Sequence, residues 1–195
     1  MEARPRYVST EAGLRLLRAT LRNYIWEARL SVLPRGRIQQ TFLGTSDPRD
    51  LAVQAGFLRL VSVVEASVDS LAVELTEGNV PRVDEVLRLL MLEKEIVASA
   101  NWESRRRVFK RHHRVDLRKC PRYSYLEGAI EVRNAIAHRL GRLTTRQAMS
   151  VETTHRLRIA NVIVVNERVD LTSEHLTECA NCSSEFLRSL DALVP

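Results

Sequence analysis

The sequence of 195 residues has few of the residues that build turn-rich or disulfide-stabilised folds. It contains only 3 Cys, 7 Gly and 6 Pro, which favours long helices over many short strands. Cys120, Cys179 and Cys182 are expected to be free thiols in a reducing compartment. Cys179 and Cys182 form one C-x-x-C, but no second Cys or His pair stands at a usable spacing. We therefore expect neither a metal site nor a cofactor.

Long apolar runs are also missing. The first residues, MEARPRYVSTEAG, lack the apolar segment of a signal peptide, and no stretch approaches 18 uncharged apolar residues. We therefore expect a cytoplasmic protein that does not contact a membrane. The composition, 45% hydrophobic and 28% charged residues, is typical of a globular chain with a core, and the length suits one domain with or without an appendage.

Lysine is scarce, because only 3 of the 30 basic residues are lysines and the remainder are arginines. The net charge of +6 is not spread evenly. Residues 105–122, which we call the basic strip, carry nine Arg or Lys and one Asp, so the strip is +8 and the rest of the chain −2. A uniformly basic protein is excluded, and a nearly neutral protein with one basic surface replaces it.

Helical periodicity with capping signals predicts most of the elements. A first helix over 10–33 ends at Pro34, and Asp47-Pro48 begins a long helix that reaches about Glu77. Its apolar stripe, with steps of four and three, is Phe57, Val61, Val64, Val68, Leu71 and Leu75. Further helices are predicted over 82–99, 101–112, 122–140 and 173–192.

One segment near the C-terminus has a different pattern. Ile and Val flank Asn166-Glu167, which predicts a two-stranded hairpin over about 157–170. A lone hairpin needs helices to lean on. The predicted fold is therefore mainly α, a bundle of five or six helices with a short C-terminal β-hairpin. Residues 48–195 form its main domain, and residues 1–47 are either part of that domain or an added partner-binding helix.

The helix over 122–140 carries the residues best suited to chemistry. Its stripe Leu126, Ile130, Arg133, Ala137, Leu140 places an arginine where an aliphatic side chain is expected, so Arg133 needs a partner or an open cleft. A neighbouring polar stripe holds Glu127, Glu131, Asn134 and His138. His138 lies in the last turn, where the helix dipole favours an imidazolium.

The segment EVRNAIAHRLG resembles the signature of the HEPN superfamily (higher eukaryotes and prokaryotes nucleotide-binding domain): Arg133, polar Asn134, three residues, then His138. The Arg-x4-His spacing alone carries no weight, since Arg107 and His112 match it too. Four features distinguish the match at Arg133 and His138: Asn134, the small apolar residues Ala-Ile-Ala, the helix end at Gly141 and the long upstream helix. The resemblance covers roughly residues 50–192, and it is closest to the prokaryotic toxin or defence branch.

This resemblance implies an all-helical homodimer in which two Arg/His sets face each other. It also implies a metal-independent endoribonuclease, in which the RNA 2′-hydroxyl attacks the adjacent phosphodiester. His138 would move the proton, Arg133 would stabilise phosphoryl charge, and Asn134 would orient His138 or a phosphate. An antitoxin or a larger defence complex is the implied partner.

The basic strip is the expected RNA-binding surface, with backbone contacts from Arg105, Arg106, Arg107, Lys110, Arg111, Arg114 and Arg118. Trp102, Phe109 and Tyr123 are candidates for stacking on bases. His112 and His113 are interpreted as part of the same polar face.

Each assignment has an alternative that involves no catalysis. Arg133 is then a structural arginine paired with Glu65 or Asp69, and His138 caps the helix. The basic strip is then a solvated helix face. On this hypothesis the protein is a non-catalytic helical module for dimerisation or nucleic-acid binding.

Overall fold

The computed structural model describes residues 5–30, 47–79 and 101–195. The helix predicted over 82–99 and most of the connection after Pro34 lie outside these residues. The described part contains seven α-helices, one 3-10 helix and two strands. The helices are α1 (Val8–Leu30), α2 (Pro48–Asn79), α3 (Trp102–His112), α4 (Tyr123–Arg139), α5 (Thr145–Ala148), α6 (Val151–Ile159) and α7 (Ser173–Leu193), with β1 (Ile163–Val165), β2 (Arg168–Asp170) and a 3-10 turn at Leu117–Lys119.

Helix α2 is the central element, as its stripe predicts. Asp47 caps its first turn by accepting a hydrogen bond from the Arg49 N–H at 2.9 Å. All six residues of the predicted stripe are buried. The segment Pro48–Gly78 is also long and apolar enough to cross a bilayer. Its most apolar 18 residues have a mean hydropathy of 1.5, but half of them are buried in the protein. Such burial is typical of a core helix.

Helix α1 packs against α2 and α7 through Leu14 and Leu17. Its start is tied to both neighbours by carboxylates. Glu74 of α2 accepts hydrogen bonds from the N–H groups of Val8 and Ser9, each at 3.0 Å. The buried Asp191 of α7 accepts a hydrogen bond from the N–H of Tyr7 at 3.1 Å. The N-terminal helix therefore shares the core of the rest of the described chain.

Helices α4 and α6 approach each other closely at Gly128. A Cβ at this position would overlap the carbonyl oxygen of Arg156 and lie 2.7 Å from the Cβ of Ala160. Only glycine allows this approach without a shift of α6. The periodicity of the sequence did not predict α5 or α6, because each is three turns or shorter and begins with its own Thr144 or Ser150 cap.

The hairpin begins later than predicted, because residues 157–159 are the last turn of α6. Its turn residues Asn166 and Glu167 both have positive φ, which matches the two-residue turns that join right-twisted strands. Strand β2 continues onto the segment after α4. The Val169 N–H donates to the carbonyl of Gly141 at 2.9 Å, and the Leu143 N–H donates to that of Glu167 at 2.8 Å. The prediction of a mainly α fold with a C-terminal hairpin is confirmed.

Candidate functional site

Helix α4 positions all three candidate catalytic residues and ends where Gly141 predicts. Leu140 and Gly141 are both left-handed, with φ of 51° and 90°. Their N–H groups donate to the carbonyls of Ile136 and Ala135, each within 3.1 Å, so the last carbonyls of the helix are satisfied by backbone. His138 is therefore not needed as a cap, and the described residues provide no hydrogen-bond partner for its ring.

The buried face of α4 differs from the predicted stripe. Of that stripe only Leu126 is buried, whereas Ala137 and Leu140 are exposed. The buried positions are Tyr123, Tyr125, Leu126, Gly128, Ala129, Val132, Ala135 and Ile136. The predicted stripe is therefore not the buried face of α4, because α4 packs on two sides, against α6 and against α2 with α7, and these contacts bury a different set. Arg133 lies at the edge of that set, with 34% of its side chain exposed.

Arg133 is held by two oxygens. Its Nη1 donates to Oδ1 of Asn134 at 3.0 Å, and its Nη2 donates to Oε2 of Glu65 at 3.5 Å. The ion pair with Glu65 is the first of the two partners that the non-catalytic interpretation names. The contact with Asn134 gives the polar residue of the signature a role in orienting the arginine. The guanidinium is thus fixed in direction while part of it stays open to solvent.

Glu65 is the centre of a larger group, which we call the Glu65 network. Its Oε1 also accepts a hydrogen bond from Nε1 of Trp102 at 3.1 Å and lies 3.6 Å from Nη1 of Arg105. Arg105 makes a bidentate pair with Asp69 at 2.7 and 2.8 Å and lies over the Trp102 ring at 5.4 Å. The network therefore joins α2, α3 and α4 around one carboxylate. The sequence signal for it is the inner face of α3, formed by Trp102, Arg105 and Phe109.

His138 is exposed in the last turn of α4. Five residues separate it from Arg133, or about 140° around the helix axis. Arg133 is directed to Glu65 on α2, whereas the His138 ring reaches solvent. One copy of the chain therefore does not align the two side chains along a single face.

The basic strip divides into buried and exposed residues. Arg105 differs from the other six candidates, since its side chain is only 7% exposed and is neutralised by Asp69 and Glu65. The assignment of Arg105 to an RNA surface is therefore corrected. Arg106 is half-buried and paired with Glu103 at 2.7 Å, and Arg118 with Asp116 at 3.3 Å. Of the seven candidates, those open to solvent are Arg107, Lys110, Arg111, Arg114 and Arg118.

The aromatic residues of this region do not face solvent. Trp102, Phe109 and Tyr123 are all at least nine-tenths buried, so the expectation that they stack on bases is wrong. His113 is also buried, with its ring 5.3 Å from that of Phe109. Burial, and then the neighbouring His112, lowers the pKa of His113. The interpretation of both histidines as one polar face therefore holds for His112 alone, because α3 turns its aromatic side to the core.

The acidic stripe of α4 has a structural role that sequence reasoning did not find. Glu131 accepts hydrogen bonds from Nε2 of Gln147 at 2.9 Å and from Nη1 of Arg156 at 3.1 Å. These contacts tie α4 to α5 and α6. The three cysteines are buried, and burial raises the pKa of Cys120 to about 11 and that of Cys179 to about 12. Within residues 5–30, 47–79 and 101–195, no group of three metal-ligating side chains occurs.

A cavity of about 300 Å³ that the sequence did not predict lies beside the end of α4. We call it the hairpin cavity. Three chain segments line it: the first turns of α2 with Asp50 and Gln54, the turn Leu140-Gly141, and the hairpin with Arg168 and Asp170. Burial, followed by the nearby carboxylates of Asp47 and Asp170, raises the pKa of Asp50.

Comparison of the chain with protein-family models, with curated proteins and with solved structures finds no match to any of them.

Proposed function

We propose that the protein is a metal-independent endoribonuclease that acts as a homodimer, of the HEPN type that its Arg133–Asn134–His138 segment resembles. The observation that carries the proposal is the contrast along α4. Arg133 is anchored by Glu65 and Asn134. The imidazole of His138 is exposed to solvent, and the described residues provide no hydrogen-bond partner for it. An anchored cation and a free proton carrier are what phosphodiester transesterification requires.

The chemistry follows from these residue types. The 2′-hydroxyl of the RNA loses its proton to His138 and attacks the adjacent phosphorus. The bond from phosphorus to the 5′-oxygen of the next nucleotide breaks, and that oxygen takes up the proton from the His138 imidazolium. The products are a 2′,3′-cyclic phosphate and a 5′-hydroxyl. Arg133 stabilises the negative charge that grows on the phosphoryl oxygens. The nucleophile belongs to the substrate, so the reaction needs no metal-bound water.

The homodimer is supported by the position of His138. Within one copy, His138 and Arg133 point about 140° apart around the helix axis. A composite site across a two-fold axis would instead combine His138 of one copy with Arg133 of the second copy. Leu140, which follows His138 by two residues, is 60% exposed, and Val165 beside it in the hairpin cavity is 52% exposed. Apolar side chains exposed at this end of α4 suit burial against a second copy. A toxin–antitoxin pair or an antiviral-defence complex is the setting that the resemblance implies.

The test is RNA cleavage by the full chain with magnesium absent and excess chelator present. We expect His138→Ala and Arg133→Ala each to lower the rate at least about 100-fold. His155→Ala is the matched control, because His155 is exposed on α6 and outside the proposed site. Product ends should be 2′,3′-cyclic phosphate. Cleavage that persists in both variants, or that requires magnesium, contradicts the proposal.

RNA affinity should depend on the exposed part of the basic strip. Arg111→Ala is expected to weaken binding of a short RNA and to reduce the slope of log affinity against log salt by about one contact, or 0.7 to 0.9. Arg146→Ala, an exposed arginine on α5, is the control and should leave the slope unchanged. Equal slopes for both variants would remove the basic strip from the RNA surface.

The Arg133–Glu65 ion pair supports a second candidate function, a non-catalytic dimerisation or nucleic-acid-binding module. In that case Arg133 only joins α4 to α2. The two candidates differ in one measurement: the module binds RNA and forms dimers but leaves the RNA intact. A strict monomer at micromolar concentration would count against the catalytic homodimer and against the non-catalytic dimerisation module alike.

A further inference from the structure

The hairpin cavity holds an arginine whose donors are unsatisfied. Nε and Nη2 of Arg168 are buried, and no described residue accepts a hydrogen bond from either. Buried donors of this kind are costly and rare, because about nine in ten such groups have a partner. Arg168 is one of the residues that line the cavity, so a small rotation of its guanidinium would bring these donors to an oxygen or nitrogen acceptor held there.

The lining of the cavity also supplies acceptors. Asp50 and Gln54 stand one turn apart on α2, and Asp170 stands two residues after Arg168 on β2. Asp50, Arg168 and Asp170 all line this one cavity. The cavity therefore offers a forked donor and one or two carboxylates to the same ligand.

Apolar surface completes the cavity. Leu140, Val165 and Leu171 contribute side chains to its lining, and Gly141 lets the backbone approach. Gln54 already touches the position that a Cβ of Gly141 would occupy, at 3.4 Å. The cavity thus has apolar faces and a charged edge, and its volume of about 300 Å³ is enough for a flat heterocycle.

The mixture of charges restricts the ligand. An isolated phosphate or carboxylate would be repelled by Asp50 and Asp170, and an ammonium group by Arg168. A neutral ring with donors on one edge and acceptors on another satisfies both. Guanine has this pattern: its O6 and N7 accept from an arginine fork, and its N1–H and N2–H groups donate to a carboxylate.

We propose that the hairpin cavity binds a guanine base of the substrate RNA, with Arg168 on O6 and N7 and Asp50 on the Watson–Crick edge. This inference rests on the proposed function for the identity of the substrate. The location agrees with it, since Leu140 and Gly141 follow His138 by two and three residues. Strand β2 is hydrogen-bonded directly to Gly141. A base held here lies at the same end of α4 as the proposed proton carrier.

The test is a titration of the full-length protein with 5′-GMP, 5′-AMP, 5′-CMP and 5′-UMP, in which binding is measured by calorimetry or NMR. These mononucleotides contain no phosphodiester for the proposed reaction to cleave, so the titration measures binding alone. GMP should bind at least about tenfold more tightly than the other three, which is the discrimination of one good bidentate pair. Equal affinity for the four nucleotides overturns the proposal, because it indicates contacts to phosphate alone.

Variants assign the contacts to the cavity. Arg168→Ala and Asp50→Asn should each lower GMP affinity about tenfold or more. Arg168→Lys keeps the charge but not the fork, and it should also fail to discriminate guanine. Arg146→Ala removes an arginine outside the cavity and should bind GMP as the parent does. Thermal unfolding of every variant identifies loss of the fold. A GMP preference that survives both Arg168 variants overturns the assignment.

Cleavage of RNA by the unmodified protein separates this inference from the proposed function. Cuts that fall beside guanine, together with preferential GMP binding, support both. Selective GMP binding without any RNA cleavage supports the cavity and contradicts the ribonuclease. Cleavage without base preference, together with equal binding of the four nucleotides, contradicts the cavity and leaves the ribonuclease standing.

Discussion

Two regions against α2 use arginine in opposite ways. In the Glu65 network, Arg105 and Arg133 meet Glu65, Asp69 and the Trp102 ring. In the hairpin cavity, Arg168 shares a wall with Asp170 and faces Asp50, but its buried Nε and Nη2 receive no acceptor from the described residues. The charged groups of the first region are paired with one another, whereas two buried donors of the second have no partner among the described residues.

This difference separates residues that stabilise the fold from residues available for binding. Closed networks hold several helices in fixed positions, because their charged groups are already paired. An open pair of donors in a cavity costs stability until a ligand satisfies it. Because α4 connects the two regions, His138 lies between a rigid anchor at Arg133 and an open site at Gly141.

The largest expected effect compares the two arginines directly. Arg105→Ala removes the bidentate partner of Asp69 and one of the two ion pairs of Glu65, and it should lower the free energy of unfolding by about 3 kcal/mol. Arg168→Ala should change it by less than about 1 kcal/mol, because the buried Nε and Nη2 of Arg168 have no hydrogen-bond partner among the described residues. Chemical denaturation of both variants tests this, with exposed Arg107→Ala as the control that stays within about 0.5 kcal/mol. Equal losses at 105 and 168 would erase the distinction between the regions.

A smaller effect is expected when the centre of the Glu65 network loses its charge. Glu65→Gln keeps the volume and an acceptor for Trp102, but it removes the ion pairs with Arg105 and Arg133. The free energy of unfolding should fall by about 2 kcal/mol. Exposed Glu77→Gln on the same helix is the matched control. If Glu65 also positions Arg133, the rate of RNA cleavage at saturating RNA should fall while RNA affinity stays unchanged; unchanged cleavage limits Glu65 to a structural role.

The sequence predicts the frame of the fold because local signals decide it. Asp47-Pro48, the α2 stripe and the Gly141 stop each depend on residues within one or two turns, and the structure has α2 and α4 within two residues of the expected bounds. The position of Arg133 could not be predicted this way. Its exposure depends on which two sides of α4 are covered, and distant α6 and α7 decide that.

The candidate site divides along the same line. Arg133, Asn134 and His138 share one helix and were accessible to pattern reasoning, as was a partner for Arg133 on α2. Composition could not separate Arg105 from its neighbours Arg106 and Arg107, although its spacing from Trp102 and Phe109 places it on the inner face. The hairpin cavity was not predictable, since it joins segments more than 80 residues apart.

The smallest expected effect is a pH dependence at the rim of the hairpin cavity. Burial and two nearby carboxylates raise the pKa of Asp50 above its ordinary value of 3.8, so the folded state holds this proton more tightly than the unfolded state. Charged Asp50 therefore costs stability once the pH rises above 3.8, and the cost vanishes below that value. Asp50→Asn should be more stable than the parent at pH 7 and lose this gain as the pH is lowered. The gain should be only a fraction of a kcal/mol, because Asp50 is partly exposed.

Asp116→Asn is the opposite control: hydrogen bonds from Arg118 lower the pKa of Asp116, so this variant should be less stable than the parent at pH 7 and match the parent in acid. Urea unfolding of the three proteins from pH 3 to pH 7 measures both signs. Parallel curves for the parent and Asp50→Asn would mean that the cavity leaves Asp50 as well solvated as an ordinary surface carboxylate, and the contrast with the Glu65 network would then rest on Arg168 alone.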